Sequence, residues 1–438
     1  MNTLIAIKPI EIFKGLFEGK EIRSFFIQGG KTFFFKIIGL AFSYVVMLLI
    51  THHFGSEVFG RYSIVITILS LITIVFTFGF PSALVRLIAD RSHFVVKPKT
   101  DFIESILKIV FLSGVLLSLG LYFLAPALAS SFFKDSELEL YLQIASCFVI
   151  PMMFHEIFLG YFRGRSFFNQ YNLFLFLLPP IFFILIYFGI ANFIPGQERT
   201  IYAFGFAISI IFLIELVRIK PFSKVVKNKF SIKKLLKLSL PMMMSNAVLF
   251  LLNWTDVFML GYFRPMQEVG VYNVAFKIAS LGLLILIVFN VIIAPQIALY
   301  YQQNQKEKLK KYIQGATRLI SLCTIPIILG IMLFNDTLLG LFGEDFTEGR
   351  TALIILSLGV LINAISGNVD QILNMTNQQV TMRNLSLLCI LLNVILNFIL
   401  IPKYGINGAA MASLMTTVIL NLSSIYIIKK KLGFYTFG

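Results

Sequence analysis

An acidic residue stands in the middle of an apolar stretch, LLNWTDVFMLG, at residues 251–261. Asp256 lies two positions after Trp254, in a run that otherwise has the composition of a membrane-spanning helix. A charge at the centre of such a helix costs about 2.5–3.5 kcal/mol on insertion scales, so it usually has a partner or a function. Lys277 lies at a similar predicted depth in the next apolar run. The sequence therefore predicts either an Asp256–Lys277 ion pair or a role for Asp256 in cation coupling or gating.

Further polar side chains collect in the later apolar runs. They are Asn363, Asn368, Asn374, Asn393 and Asn397, with Asp370 among them. An asparagine in a spanning helix commonly bonds a neighbouring helix, which would make most of these residues structural. Carboxylate and amide oxygens are also the ligands that hard cations prefer. We therefore predict that Asp370 and Asn374 belong with Asp256 and Lys277 among the coupling or gating residues.

Catalytic and metal-binding motifs do not appear in the sequence. The histidines form no HExxH pattern, and no GxxxxGK[ST] phosphate loop is present. Cys147, Cys323 and Cys389 fall in apolar runs without CxxC spacing, which is typical of packing residues. His155 is followed by Glu156, but consecutive helical residues point about 100° apart, so the two do not form an acid/base pair. We predict no catalytic residue, no metal site and no enzymatic activity.

The overall composition is that of a membrane protein. The chain has 438 residues, of which 58% are hydrophobic and 13% charged, and its mean hydropathy is +0.87. Such a chain has too little polar surface for a soluble globule. The net charge of +16 would suggest a nucleic-acid partner in a soluble protein. Here the lysines and arginines cluster between apolar runs, where membrane topology accounts for them, so no nucleic acid is expected.

Twelve segments are long and apolar enough to span a bilayer, which requires about 20 residues each. They lie near residues 29–53, 59–88, 102–124, 139–162, 168–190, 200–219, 235–263, 269–300, 312–334, 350–376, 380–402 and 406–428. Before them, residues 1–28 have apolar residues at helical spacing against a charged face, as in an amphipathic helix on the membrane surface. If the N-terminus is cytoplasmic, most of the 37 lysines and arginines fall on that side. The positive-inside rule therefore predicts that both termini are cytoplasmic, including the tail at 431–438.

The two halves of the chain echo each other. SEVFGRYSIVITI at residues 56–68 recurs as MQEVGVYNVAFKI at residues 266–278, which aligns Gly60 with Gly270. A polar linker at residues 220–234 separates the two halves. The sequence predicts an all-α membrane protein with lobes at residues 29–219 and 235–430. Six helices in each lobe would give a parallel repeat about a pseudo-two-fold axis and a central cavity, as alternating access requires.

Several stretches together resemble one transporter family. FGSEVFGRYSIVITILSLITIVFTFGFPSALVRLIA (54–89) is similar to the opening of the polysaccharide transporters, the oligosaccharide-lipid flippases of the multidrug/oligosaccharidyl-lipid/polysaccharide exporter superfamily. LSLPMMMSNAVLFLLNWTDVFMLGYF (238–263), GVYNVAFKI (270–278) and IPKYGINGAAMASLMTT (401–417) resemble helices 7 and 8 and the start of helix 12 of that family.

The resemblance implies a flippase for an oligosaccharide linked to undecaprenyl pyrophosphate, such as an O-antigen or capsule repeat unit. The substrate would move from the inner to the outer leaflet of the bacterial cytoplasmic membrane. Coupling to a Na⁺ or H⁺ gradient, or to the membrane potential, is expected. The expected partners are the lipid-linked oligosaccharide, the membrane lipid, and glycan polymerase and assembly proteins.

A basic vestibule for the pyrophosphate is the corresponding site prediction for the first half. Its predicted members are Lys36, Arg86, Arg163 and Arg165, with Glu156 as the balancing acid. Arginine offers phosphate a bidentate fork, and lysine offers a point charge. The alternative interpretation is positive-inside topology with snorkelling side chains.

Two other functions remain as alternatives. A multidrug cation antiporter of the same superfamily would favour an acidic, aromatic cavity, whereas the first half of this chain is basic. A membrane glycosyltransferase or polymerase would need a large external loop with acid/base residues, and the predicted loops are short.

Overall fold

The computed structural model describes residues 20–89, 101–219 and 232–437. Within these ranges every regular element is a helix. The amphipathic segment predicted at residues 1–28 and the linker predicted at residues 220–234 lie largely outside the described residues.

The described residues of the first half contain eight α-helices. They are α1 (Lys20–Phe76), α2 (Phe80–Ala89), α3 (Asp101–Ala127), α4 (Leu138–Ser146), α5 (Val149–Gly164), α6 (Phe168–Asn172), α7 (Leu178–Gly189) and α8 (Arg199–Ile219). A π-helical turn, Leu128–Phe132, extends α3. A second one, Leu173–Leu177, joins α6 to α7.

The described residues of the second half also contain eight. They are α9 (Ile232–Phe263), α10 (Met266–Ser280), α11 (Leu283–Gln302), α12 (Lys306–Leu333), α13 (Asn335–Gly340), α14 (Arg350–Ser366), α15 (Val369–Met375) and α16 (Gln379–Leu432). A short 3₁₀ helix, Glu344–Gly349, precedes α14.

The described residues contain seven helical stretches long and apolar enough to cross a membrane, or up to nine if each of two bent pairs is one span. The first and last of these stretches belong to α1 and α16, which have 57 and 54 residues. A straight helix of that length would extend about 80 Å, more than twice the bilayer core of about 30 Å. Each is interrupted by one non-helical glycine, Gly55 (φ 79°) or Gly405 (φ 55°). The twelve predicted segments fall on the helices, while the number of crossings stays a prediction.

Four predicted segments contain breaks that the sequence analysis did not anticipate. They are interrupted between α1 and α2, between α4 and α5, between α10 and α11, and between α14 and α15. The axes of α4 and α5 differ by 56°, and those of α10 and α11 by 47°. Between α14 and α15, Gly367 has φ 77°, a left-handed value that glycine adopts without strain. At these breaks the helices change direction or are interrupted in the middle of a predicted segment, where a binding site can form.

The halves pack directly against each other through α1 and α10, the helices that carry the sequence repeat. One apolar core runs through the contact and includes Ile64 and Val65 of the first half and Val271 and Val274 of the second. A smaller apolar cluster lies within the second half, around Ile297, Ile313 and Leu373 among other residues.

Candidate functional site

Helix α9 contributes side chains to four cavities. Asn246, Trp254 and Asp256 each face a different one, and Met244 and Ser245 face the largest. Successive residues of a helix point about 100° apart, so one helix can present different residues to spaces on several sides. Any displacement of α9 would therefore alter all four cavities together.

Asp256 lies in a buried cluster of hydrogen-bond donors. Its Oδ2 accepts a hydrogen bond from the hydroxyl of Tyr272 at 2.8 Å and another from Ser413, and its Oδ1 accepts one from Nδ2 of Asn397 at 2.6 Å. The same Nδ2 is 3.0 Å from Oδ1 of Asn393. Asp256 is 6% exposed and lines a cavity of about 200 Å³. Three donors from α10 and α16 hold this carboxylate without a basic residue.

The predicted ion pair between Asp256 and Lys277 is wrong for this structure. The ion pairs of the described residues do not include Lys277, and its ammonium lies 5.7 Å from the ring centroid of Trp254. Tyr272 and Lys277 are five positions apart on α10 and therefore point about 140° away from each other. Tyr272 faces Asp256, so Lys277 faces the other side.

Lys277 lines a cavity of about 230 Å³ at the contact between the halves. Its walls come from both, with Ser43 and Tyr62 on α1 and Asn273 one turn before Lys277 on α10. Five aromatic residues line it: Phe59, Tyr62, Phe183, Phe204 and Trp254. Oδ1 of Asn273 is buried without a hydrogen-bond partner. Lys277 is the one charged side chain among the described residues that line this cavity, so the site suits an anion.

Two members of the predicted basic vestibule share a cavity of about 190 Å³, namely Glu156 and Arg163. Asn246 lines this cavity from the second half, and its Nδ2 donates to Oγ of Ser82 at 3.1 Å. The Arg163 guanidinium lies 6.0 Å from the ring centroid of Tyr171. The structure therefore assembles part of the vestibule from α2, α5 and α9.

The other three predicted members do not line that cavity. Arg165 stacks over the ring of Tyr161 at 5.6 Å and is exposed. Arg86 is exposed in the last turn of α2, and Lys36 is half-buried on α1. Positive-inside topology accounts for their positions as well as a ligand does.

The largest cavity has a volume of about 1,020 Å³ and lies within the second half. It brings together Asp370 and Asn374, as the sequence analysis grouped them, and adds Asn368 from the break before α15. Asp256 does not line it, although Asn363 borders both this cavity and the Asp256 cavity. Asp256 and Asp370 therefore belong to neighbouring sites and not to one shared cation site.

A buried acid/base contact in the first half was missed from sequence. Nδ1 of His155 lies 3.0 Å from Oε2 of Glu215, and Glu215 is fully buried on α8. The sequence analysis considered only the neighbouring Glu156 as a partner. The signal that could have found this contact is Glu215 itself, an acid inside an apolar run.

Two family descriptions match the chain. Residues 31–300 match the family described as Polysaccharide biosynthesis protein, and residues 241–399 match the family described as MatE. Together these matches cover both halves and the contact between them.

A curated relative and two solved structures extend the comparison. The chain is 29% identical over 165 residues to the probable low-salt glycan biosynthesis flippase Agl15 of Haloferax volcanii, covering 37% of this chain and 35% of that relative. The inward-facing structure of a MATE family multidrug transporter of the MOP superfamily matches with a TM-score of 0.74 and 15% identity, over 90% of this chain and 94% of the other. The lipid II flippase MurJ in an inward closed conformation matches with a TM-score of 0.72 and 21% identity, over 92% of this chain and 87% of the other. At these identities the solved structures show a common fold.

Proposed function

The chain belongs to the polysaccharide biosynthesis protein family of the MOP superfamily, and from that membership we propose that it is a flippase for lipid-linked oligosaccharides. The observation that carries the proposal is the family match over residues 31–300. The similarity to a glycan biosynthesis flippase and the fold shared with a lipid II flippase support it. The full proposal is that the substrate is an O-antigen or capsule repeat unit on undecaprenyl pyrophosphate. The protein would move it to the outer leaflet of the bacterial cytoplasmic membrane.

The proposed architecture has twelve crossings in two lobes, with both termini in the cytoplasm. The direct packing of α1 against α10 supports the two-lobed part of this architecture, because the two copies of the repeat meet at the contact between the halves. Alternating access then consists of one lobe rocking against the other around that contact. A glycan polymerase and assembly proteins would take the product at the outer face.

Lys277 is the residue that we propose binds the phosphate. Among the described residues it has no carboxylate partner, and its cavity is walled by both halves. A phosphate oxygen would provide the missing charge partner, and the nearby aromatic wall would exclude water and strengthen the interaction. Arg163, in the cavity that Asn246 of α9 also lines, would receive the pyrophosphate earlier, and Glu156 would balance the Arg163 charge between cycles.

Coupling to a Na⁺ or H⁺ gradient is proposed to act at Asp256. The site offers carboxylate, amide and hydroxyl oxygens, which suit a hard cation, and Oδ1 of Asn397 is buried without a partner. Binding of a cation, or protonation, would each change the hydrogen bonds that tie α9 to α10 and α16. Because α9 also lines the other cavities, a change in its hydrogen bonds would alter the substrate sites.

A multidrug cation antiporter is the second candidate, and the MatE match over residues 241–399 favours it. The charge at the contact between the halves argues against it. A lipophilic cation in the aromatic cavity would meet Lys277, which repels it.

Deletion of the gene tests the proposal. We expect lipid-linked oligosaccharide to accumulate on the inner leaflet, measured by mass spectrometry of lipid extracts and by enzymatic access to the sugars in sealed inverted vesicles. Purified protein in liposomes should then restore transbilayer movement. Normal surface glycan together with altered drug tolerance would instead support the antiporter.

A further inference from the structure

The largest cavity contains amide groups that have no hydrogen-bond partner. Both side-chain polar atoms of Asn368 are unpaired, as are Oδ1 of Asn290 and Oδ1 of Asn421. Asn368 is 3% exposed and Asn421 is 2% exposed. A buried polar group left unpaired is unfavourable, and the great majority in folded proteins are paired. Such a concentration in one cavity indicates a ligand that supplies the partners.

The walls of the cavity differ in chemistry. The asparagines come from α11, from α14 to α15 and from α16, whereas α9 and the start of α11 present apolar side chains such as Val248 and Leu286. Its volume of about 1,020 Å³ is at the upper end of the range of about 300–1,000 Å³ for small-molecule sites. The matching ligand is several rings in size, with hydroxyl groups at its edges and C–H groups on its faces.

Charge narrows the class of ligand. Asp370 and Arg383 are the acidic and basic side chains among the described lining residues, and neither forms an ion pair. Each bonds a neighbouring amide instead, Asp370 with Gln371 at 3.4 Å and Arg383 with Asn384 at 3.3 Å. With both ionised, their charges cancel. The cavity therefore favours a neutral polar ligand over a phosphate or a lipophilic cation.

We propose that this cavity binds the sugar residues of the substrate, with the unpaired asparagines bonding sugar hydroxyl or acetamido groups. Asparagine both donates and accepts, as sugar hydroxyls do, which makes it suitable for neutral sugars. The proposal rests on the flippase function and assigns the parts of one substrate to different sides of α9. The phosphate lies with Lys277, and the glycan lies in the second half beside Asn368.

Substitution of Asn368 by leucine tests this assignment in the full-length protein in nanodiscs. Two probes are compared by binding titration: lipid-linked oligosaccharide extracted from cells lacking the protein, and undecaprenyl pyrophosphate without sugar. We expect Asn368→Leu to weaken oligosaccharide-lipid binding about tenfold, as the loss of two hydrogen bonds would, and to leave binding of the sugar-free lipid unchanged. Its thermal unfolding temperature should not fall, because leucine removes unpaired polar atoms at similar volume.

Asn407→Leu is the matched control, because Oδ1 of Asn407 is also buried and unpaired but lines none of the four cavities. It should bind both lipids as the wild type does. If Asn368→Leu does not fold, Asn421→Leu takes its place with a smaller expected loss of oligosaccharide-lipid binding, because only Oδ1 of Asn421 is unpaired while its Nδ2 donates to the backbone oxygen of Thr417. Equal weakening of both lipids, or no weakening of either, would overturn the glycan assignment.

The wild-type protein separates this inference from the proposed function. If it binds both lipids equally tightly, the phosphate-lipid flippase stands and the glycan site is refuted. If it binds neither lipid, the flippase proposal itself fails, and the glycan site with it.

Discussion

Gly60 and Gly270 face each other across the contact between the two halves. A Cβ built on Gly60 would overlap the carbonyl oxygen of Met266, and one built on Gly270 would overlap that of Ser56. Met266 aligns with Ser56 in the sequence repeat, and Gly270 aligns with Gly60. Each glycine thus lies against the residue four positions before the other glycine, which is the reciprocity of a local two-fold axis.

Alanine at Gly60 should therefore destabilise the protein. The methyl group would meet backbone, which cannot rotate away as a side chain can, and overpacking of this kind costs about 1–3 kcal/mol. We expect a lower thermal unfolding temperature in detergent and reduced export. Gly120→Ala on α3 is the control, since a Cβ there meets nothing within 4 Å. Equal stability of the two variants would show that the helices separate at little cost.

Asp256→Asn should impair transport, and adding Lys277→Gln should not restore it. The carboxylate accepts three hydrogen bonds from side chains other than lysine, so neutralising Lys277 relieves no unpaired charge. The measurement is lipid-linked oligosaccharide flipping in liposomes, with and without Na⁺ and pH gradients. If the double variant is more active than Asp256→Asn alone, the two residues pair in another conformation.

Lys277→Gln should reduce flipping by at least about tenfold, the effect of one charged hydrogen bond of about 1.5–3 kcal/mol. Lys277→Arg should retain part of the activity because it keeps the charge in a cavity of about 230 Å³. Lys403→Gln, at an exposed lysine, serves as the control. Saturation curves with lipid-linked substrate should show the loss mainly in apparent affinity. Full activity of Lys277→Gln would contradict the proposal that Lys277 binds the phosphate.

Arg163→Ala should impair export more than Arg86→Ala or Lys36→Ala does. Arg163 lines a cavity with Glu156, whereas the other two cations line none of the four cavities. Complementation of a deletion strain, with membrane levels matched by immunoblot, measures the ranking. If Arg86→Ala or Lys36→Ala impaired export more than Arg163→Ala, the phosphate site would instead lie near Lys36 and Arg86, as predicted from sequence.

The sequence by itself determined the class of the protein, the positions of its helical segments and its family. Apolar length and composition carry that information locally, because a bilayer imposes the same requirement on every span. The repeat around Gly60 and Gly270 could also be identified from the sequence, as could the unusual position of Asp256 in an apolar run. The repeat marks the place where the halves meet.

The tertiary structure determined which side chains contact each other. Sequence spacing gave Asp256 and Lys277 similar depths, because rise per residue fixes position along a helix axis. Which way each side chain points depends on how neighbouring helices are rotated against each other, and packing sets that rotation. Tyr272 therefore took the place predicted for Lys277. The break at Gly367 likewise brought Asn368 to the largest cavity, because left-handed glycine geometry ends a helix where the apolar pattern continues.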